Sequence, residues 1–351
     1  MPLIINALSD LFAMDFDEII DVRAPAEYAE DHIPGAINLP VLDDAERARV
    51  GTIYKQVNPF TARKLGAALV AQNAARHLLE TLADRPGGWK PLVYCWRGGQ
   101  RSGSFAMILA QIGWRVEIIS GGYKSWRSLV VDALYNQPFP VPMVVVLDGN
   151  TGSAKTEILN LLPARGVQVL DLEGLANHRG SLFGAMGAQP SQKAFECALA
   201  MAIAKLDPTR PVVIEAESSK VGERRLPGPI WKAMVNARRI EILAPPAVRA
   251  RYLTRAYADI ISDPARLVDT INLLRPAHAA TVIDHWLALA TSGGFEVLAA
   301  ELMEQHYDPR YDKHRGRMDA AASVISVDSL AQADLGNIAD AVAANITATI
   351  G

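Results

Sequence analysis

The residue types most able to do chemistry in this sequence sit in Cys95-Trp96-Arg97-Gly98-Gly99-Gln100-Arg101, where one of only two cysteines is followed by two glycines and two arginines. Apolar Leu92 to Tyr94 predict a short buried strand before it, and Phe105, Ile108, Leu109 and Ile112 recur as one face of a helix beginning near Arg101. Cys95 then ends a strand and faces a helix N-terminus, where unpaired N–H groups and the helix dipole favour an anion and Arg97 and Arg101 add positive charge. That setting predicts a thiol that ionises readily and acts as a nucleophile. The opposite expectation, a packed and inert cysteine, fits poorly with glycines and arginines crowded behind the thiol. The spacing of Cys95, five residues and Arg101 makes a cradle wide enough for a tetrahedral, phosphate-sized anion, and Cys95, Arg97 and Arg101 are the candidate catalytic residues.

A second anion site is written in Gly149-Asn150-Thr151-Gly152-Ser153-Ala154-Lys155-Thr156, which follows an apolar run from Met143 to Leu147 and precedes a helix with Ile158, Leu161 and Leu162 on its apolar side. Strand, glycine turn, Lys-Thr and helix form a P-loop in its required context. The candidate phosphate-binding residues are Gly149, Gly152, Ser153, Lys155 and Thr156, with Thr156 able to reach a magnesium ion. The strict pattern has glycine where this chain has Ala154; if that position is left-handed, alanine there costs about 1–2 kcal/mol. The motif specifies phosphate cradling and not cleavage of a nucleotide. The strand from Pro211 to Ile214 runs into Glu215-Ala216-Glu217, where a P-loop ATPase usually places Asp, and the strand from Val167 to Leu170 runs into a polar, glycine-rich loop. Asp171, Glu173, His178, Arg179, Glu215 and Glu217 are therefore candidates for orienting a substrate or a metal. The stretch from His306 to Arg317 interleaves bases with tyrosines, and Arg310, Lys313, Arg315 and Arg317 suit an RNA backbone; a solvated charged loop is the plainer alternative.

The elements that must position these residues make two α/β units. With 351 residues, 50% of them hydrophobic and 21% charged, the chain is long enough for two cores. Residues 1–134 read as one domain, the proline-rich segment 135–142 as a linker, and 143–351 as a second domain with a helical insertion at about 264–305. Two cysteines exclude a disulfide framework or a cysteine metal cluster, and no apolar run approaches the ~20 residues of a spanning helix. The opening Met1-Pro2-Leu3-Ile4-Ile5-Asn6 lacks the basic region of a secretory signal, so a reducing cytoplasm without membrane attachment is expected. A net charge of −3 confines any nucleic-acid contact to a local patch.

Three groups of residues in the first half resemble the rhodanese superfamily: Asp21-Val22-Arg23 at a strand end, the turn His32-Ile33-Pro34-Gly35-Ala36, and the closing Gly121-Gly122-Tyr123-Lys124-Ser125-Trp126-Arg127, framing the Cys95 loop. In this frame Asp21 and Arg23 are expected to be a structural ion pair and His32 a turn residue. The loop is one residue longer than the usual rhodanese loop and matches the spacing of cysteine phosphatases, yet Tyr94 and Gln100 stand where those enzymes generally carry His and Ser or Thr. A rhodanese-like domain joined to a P-loop domain that carries Asp171-Leu172-Glu173-Gly174-Leu175-Ala176-Asn177-His178-Arg179-Gly180 resembles the tRNA 2-selenouridine synthase family over nearly the whole chain. The resemblance implies a selenotransferase and geranyltransferase. The resemblance further implies, as substrate, tRNA with a 2-thiouridine wobble base, whose sulfur would be geranylated from geranyl diphosphate and then exchanged for selenium from selenophosphate, with no tightly bound cofactor and with magnesium, where present, held at Thr156. Two other readings stay open on residues alone: a sulfurtransferase or phosphatase-like enzyme governed by a nucleotide-binding domain, and a regulatory tRNA- or nucleotide-binding module.

Overall fold

The structure is a computed structural model that describes residues 2–141, 143–315 and 323–350, with side chains described through 311 and 346 in the last two stretches. The chain divides into two compact units, Met1–Gln137 together with Pro190–Lys205, and Pro138–Gln189 together with Leu206–Gly351.

In the first unit, strands β1 (Glu18–Asp21), β2 (Ala36–Asn38), β3 (Pro91–Tyr94) and β4 (Glu117–Ile118) form a parallel sheet in the order β2-β1-β3-β4. All four residues of β3 are buried, the pattern of a parallel strand covered on both faces. Helix Gln100–Ile112 buries Phe105 and Leu109 as its spacing predicts, but Ile112 is 51% exposed and lies outside that face. The division is not contiguous along the chain. Helix Gln192–Ala204 belongs to this unit: Trp126 Nε1 donates to Cys197 Sγ at 3.0 Å and Arg127 pairs with Glu196, so a helix from later in the sequence, with no exposed residue, seals the closing helix Gly122–Val131.

In the second unit, β5 (Val144–Asp148), β6 (Gln168–Leu170), β7 (Val212–Glu215), the antiparallel pair β8 (Lys220–Val221) and β9 (Arg224–Arg225), β10 (Arg238–Leu243) and β11 (Ser323–Ser326) follow in chain order. The main sheet is parallel in the order β11-β10-β5-β7-β6. Helix Lys155–Leu161 packs on it through Ile158 and Leu159, and Leu162 follows; burying each fully contributes about 1.5–3 kcal/mol. Helices Pro264–Asn272, Ala280–Ser292 and Phe295–Leu302 form a helical insertion that closes around Ile271, Ile283 and Trp286. Helices Pro246–Ala256 and Ala258–Ile261 are separated by a break at Tyr257, and helix Leu335–Ile350 follows β11. Among the described residues no helix is long and apolar enough to cross a membrane.

Candidate functional site

Parallel strands deliver both sets of candidate residues at their carboxyl ends, the usual place for ligands in such sheets. In the first unit Cys95 follows β3 directly. The Cys95 carbonyl accepts from Tyr123 N at 2.8 Å and the Trp96 carbonyl from Lys124 N at 3.0 Å, so the amides at the start of the closing helix hold the loop. Two glycines make this approach possible. Gly98 has φ +63 and a Cβ there would lie 2.5 Å from Ile119 O, while one on Gly122 would lie 2.2 Å from Cys95 O.

The thiol is 3% exposed, and Ser102 Oγ donates to its sulfur at 3.2 Å. Burial pushes the Cys95 thiol up, but the Ser102 hydroxyl, the backbone amides of Ser102 and Arg97, and the Arg101 charge outweigh burial and leave it below the ordinary thiol value. Arg101 also donates to Glu27 at 2.8 Å, so a carboxylate fixes the guanidinium beside the thiol. Arg97 is exposed. Both arginines line an open groove that also receives Arg47, Lys55 and Arg63 from helices Asp44–Gln56 and Pro59–Leu79. Asp21 and Arg23 form the expected buried pair at 2.6 Å, and His32 Nδ1 bonds Tyr28 O at 2.9 Å. The other cysteine is chemically opposite: burial and Asp31 push Cys197 up to about 12.

In the second unit Gly149 to Thr156 wrap the N-terminus of helix Lys155–Leu161. Ala154 is left-handed at φ 59, ψ 24, so the strained alternative for alanine is the one realised. Lys155 Nζ folds back to Gly149 O at 2.7 Å. The Ser153 hydroxyl is buried and has no hydrogen-bond partner among the described residues, a donor left over inside the cradle. Thr156 Oγ1 donates to Glu173 Oε2 at 2.7 Å and lies 3.1 Å from Glu215 Oε2. Burial first, then mutual repulsion, raises the proton affinity of Glu215 and Glu217, and burial with nearby Asp171 raises that of Glu173. Asp171 instead caps its own helix, accepting from Gly174 N at 2.7 Å.

His178 lines the same cradle, with its Nδ1 accepting from Gly180 N at 3.1 Å and its proton affinity lowered by burial. Arg179 lines the cradle too, paired to Asp259 at 2.9 Å. The structure thus gathers Gly152, Ser153, Lys155, Thr156, Asp171, Glu173, His178, Arg179 and Glu217 around one cavity, with Glu215 reaching it through Thr156. Among the described residues no three His, Cys, Asp or Glu side chains converge as a protein-only metal site. Magnesium commonly needs only one or two carboxylates plus substrate phosphates, and Thr156 with Glu173 and Glu215 fits that smaller requirement. Arg310 is exposed and bonds His306 within the turn Met303–Tyr307; Lys313 and Arg315 lie in helix Asp308–Arg315, and Arg317 lies outside the described residues.

Five contributors around the thiol were not singled out from the sequence: Ser102, Glu27, Arg47, Lys55 and Arg63. Ser102 was legible as a hydroxyl in the first turn of the cradle helix, and Glu27 was not. Arg47, Lys55 and Arg63 belong to helices of mixed polarity with no local motif, and only the fold brings them to the thiol groove.

Residues 6–129 match the family model for the rhodanese-like domain, and residues 142–270 match that for the tRNA 2-selenouridine synthase AAA domain. The chain is 33% identical over 332 residues to the tRNA 2-selenouridine synthase of Nitrosomonas europaea, covering 92% of this chain and 80% of that one. It is 32% identical over 327 residues to the synthase of Alcanivorax borkumensis, covering 84% and 88%. To the synthase of Shewanella denitrificans it is 37% identical over 226 residues, covering 62% and 59%.

Proposed function

Because the chain belongs to the tRNA 2-selenouridine synthase family, we propose that it replaces the sulfur of a wobble 2-thiouridine in tRNA with selenium in two steps, geranylation from geranyl diphosphate and then displacement by selenophosphate. The observation that carries this reading is the presence of two anion cradles of different chemistry, one built on a readily ionised thiol and one on a phosphate loop.

In the first step the sulfur attacks C1 of the geranyl group and the C1–O bond breaks. The second unit supplies what that step needs: loop amides, the Lys155 charge and the spare Ser153 hydroxyl for the departing diphosphate. Where magnesium accompanies the diphosphate, Thr156 with Glu173 and Glu215 would hold it, and it would neutralise charge on the leaving group. Neither role calls for nucleotide hydrolysis, in keeping with Ala154 and with the glutamates Glu215 and Glu217 in place of the usual Asp. In the second step selenium bonds C2 of the base, the C2–S bond breaks to release geranylthiol, and water takes the phosphoryl group from selenium as phosphate; the wide Cys95-to-Arg101 loop suits the tetrahedral selenophosphate, held by backbone amides, Arg97 and Arg101, with Cys95 as the catalytic group beside it. Arg310, Lys313, Arg315 and Arg317, together with Arg47, Lys55 and Arg63 around the thiol groove, are the cations we assign to the tRNA backbone.

The test is mass spectrometry of nucleosides from thiolated tRNA incubated with geranyl diphosphate and then selenophosphate. S-geranyl-2-thiouridine followed by 2-selenouridine is the expected sequence. Turnover of thiosulfate and cyanide without tRNA, and no change in the nucleosides, would establish a sulfurtransferase instead.

A further inference from the structure

A second cavity in the P-loop unit has walls of a different kind from the phosphate cradle. It is lined almost wholly by carbon, from Phe183, Leu253, Ile260, Leu267, Leu298 and Leu302 among others, most of them members of the core of the helical insertion. Thr151, Ser181, Leu253 and Tyr257 line both this slot and the phosphate cradle, so the two spaces share a wall. The loop backbone forms that wall closely: a Cβ on Gly152 would stand 3.0 Å from Leu253 Cγ. Arg249 fixes the junction, donating to Thr151 O at 3.1 Å while paired to Asp308 at 2.7 Å.

The hydroxyls on the slot wall are mostly committed elsewhere. Ser181 Oγ and Tyr257 Oη bond each other at 2.9 Å, and Thr254 Oγ1 donates to Arg251 O at 2.8 Å. Thr151 and Tyr307 remain, and both also line a neighbouring pocket; Tyr307 Oη is buried without a hydrogen-bond partner among the described residues, the one spare polar atom on an otherwise apolar wall. A ribose and base entering here would leave several polar atoms buried without partners, which is strongly unfavourable. A hydrocarbon chain would lose nothing and would leave water.

We propose that this slot takes the hydrocarbon chain of the diphosphate whose head the loop holds, which makes the ligand of the second unit an allylic diphosphate of limited chain length and not a nucleotide. The proposal rests on the geranylation reading for its reaction: the S–C1 bond forms, the C1–O pair leaves with the diphosphate, and the N3 proton of the thiouridine passes to solvent. Its binding claim stands apart from that reaction.

The full chain is titrated calorimetrically with geranyl diphosphate, inorganic diphosphate and ADP, as wild type and as Ala299→Phe, which narrows the slot, and Leu302→Ala, which widens it. Wild type is expected to bind geranyl diphosphate roughly tenfold or more tighter than inorganic diphosphate, the scale of burying a few methylenes. Ala299→Phe should erase that difference while leaving inorganic diphosphate unchanged, and Leu302→Ala should improve use of farnesyl over geranyl diphosphate. Circular dichroism melting identifies a variant that has failed to fold, and the other variant then carries the test. Equal affinity of wild type for geranyl and inorganic diphosphate, tighter binding of ADP, or a chain preference that neither folded variant alters would overturn the slot and leave a packing void only. Slot-dependent binding with no alkyl transfer to thiolated tRNA would keep the slot and remove the geranylation reading.

Discussion

Replacing Lys155 with alanine separates a diphosphate cradle from a nucleotide switch, because the two differ in which half-reaction needs the charge. Lys155 Nζ sits at the loop, 2.7 Å from Gly149 O. Two unit charges about 4 Å apart interact by about 4 kcal/mol at an effective dielectric of about 20, and removing one preorganised contact to a developing anion typically slows a reaction about 10²–10³-fold. Geranylation by Lys155→Ala should fall by that factor. Supplied with tRNA that already carries the geranyl group, the variant should still incorporate selenium within a few-fold of wild type, since that step expels no diphosphate. Stability should respond too. Burial lowers the proton affinity of Lys155, but Tyr311, Glu173, Asp148 and Glu215 outweigh it and hold the ammonium charged. Glu173, Glu215 and Glu217 have raised folded-state pKa values, so the folded state binds more protons than the unfolded one. The stability they contribute is present below their unfolded pKa and is lost as pH rises. Without Lys155 those values rise further, so the variant should lose stability relative to wild type as pH rises above the ordinary carboxyl range. The assay is the two half-reactions run separately, with and without ATP or GTP, alongside melting across a pH series. A nucleotide requirement in wild type, or an equal fall in both half-reactions, would refute the diphosphate assignment.

Cys95→Ser should abolish selenium incorporation while tRNA affinity, measured by filter binding, stays within a few-fold; loss of tRNA binding would count against a catalytic thiol. Because Ser102 is the strongest of the groups that lower the Cys95 value, Ser102→Ala should move the pH midpoint of iodoacetamide labelling of Cys95 upward while Cys197 stays unlabelled, and an unmoved midpoint would remove Ser102 from that role. Ala154→Gly relieves a left-handed strain of about 1–2 kcal/mol but loses about 0.8 kcal/mol of buried methyl and about 0.4–1 kcal/mol through the unfolded chain. Urea unfolding should therefore place it within about 1 kcal/mol of wild type, and a larger gain would show that the methyl is not packed. Charge removal at Arg310, or at Lys55 with Arg63, should lower the salt slope of tRNA binding by up to about 0.7–0.9 for each phosphate no longer neutralised; an unchanged slope would mark either set as solvated surface.

Chemistry written in contiguous residues is legible in the sequence itself. The Cys95 loop and the Gly149–Thr156 loop each combine a strand, a glycine turn and a helix, and such a unit is specified by local conformational preference: Gly98 and Gly152 take left-handed φ because the turn demands it. The strain at Ala154 is conditional on that same turn, and the Asp21–Arg23 pair needs only a strand end to form. Tertiary structure decided what depends on residues far apart in the chain. Glu27 beside Arg101, the bases Arg47, Lys55 and Arg63 in the thiol groove, Thr156 between Glu173 and Glu215, and the carbon-lined slot behind the loop all come from separate elements. The helix Gln192–Ala204 belongs to the first unit for the same reason, since Cys197 and Glu196 reveal their partners Trp126 and Arg127 only after folding. Periodicity states which face of a helix is apolar; it does not state which core that face will meet.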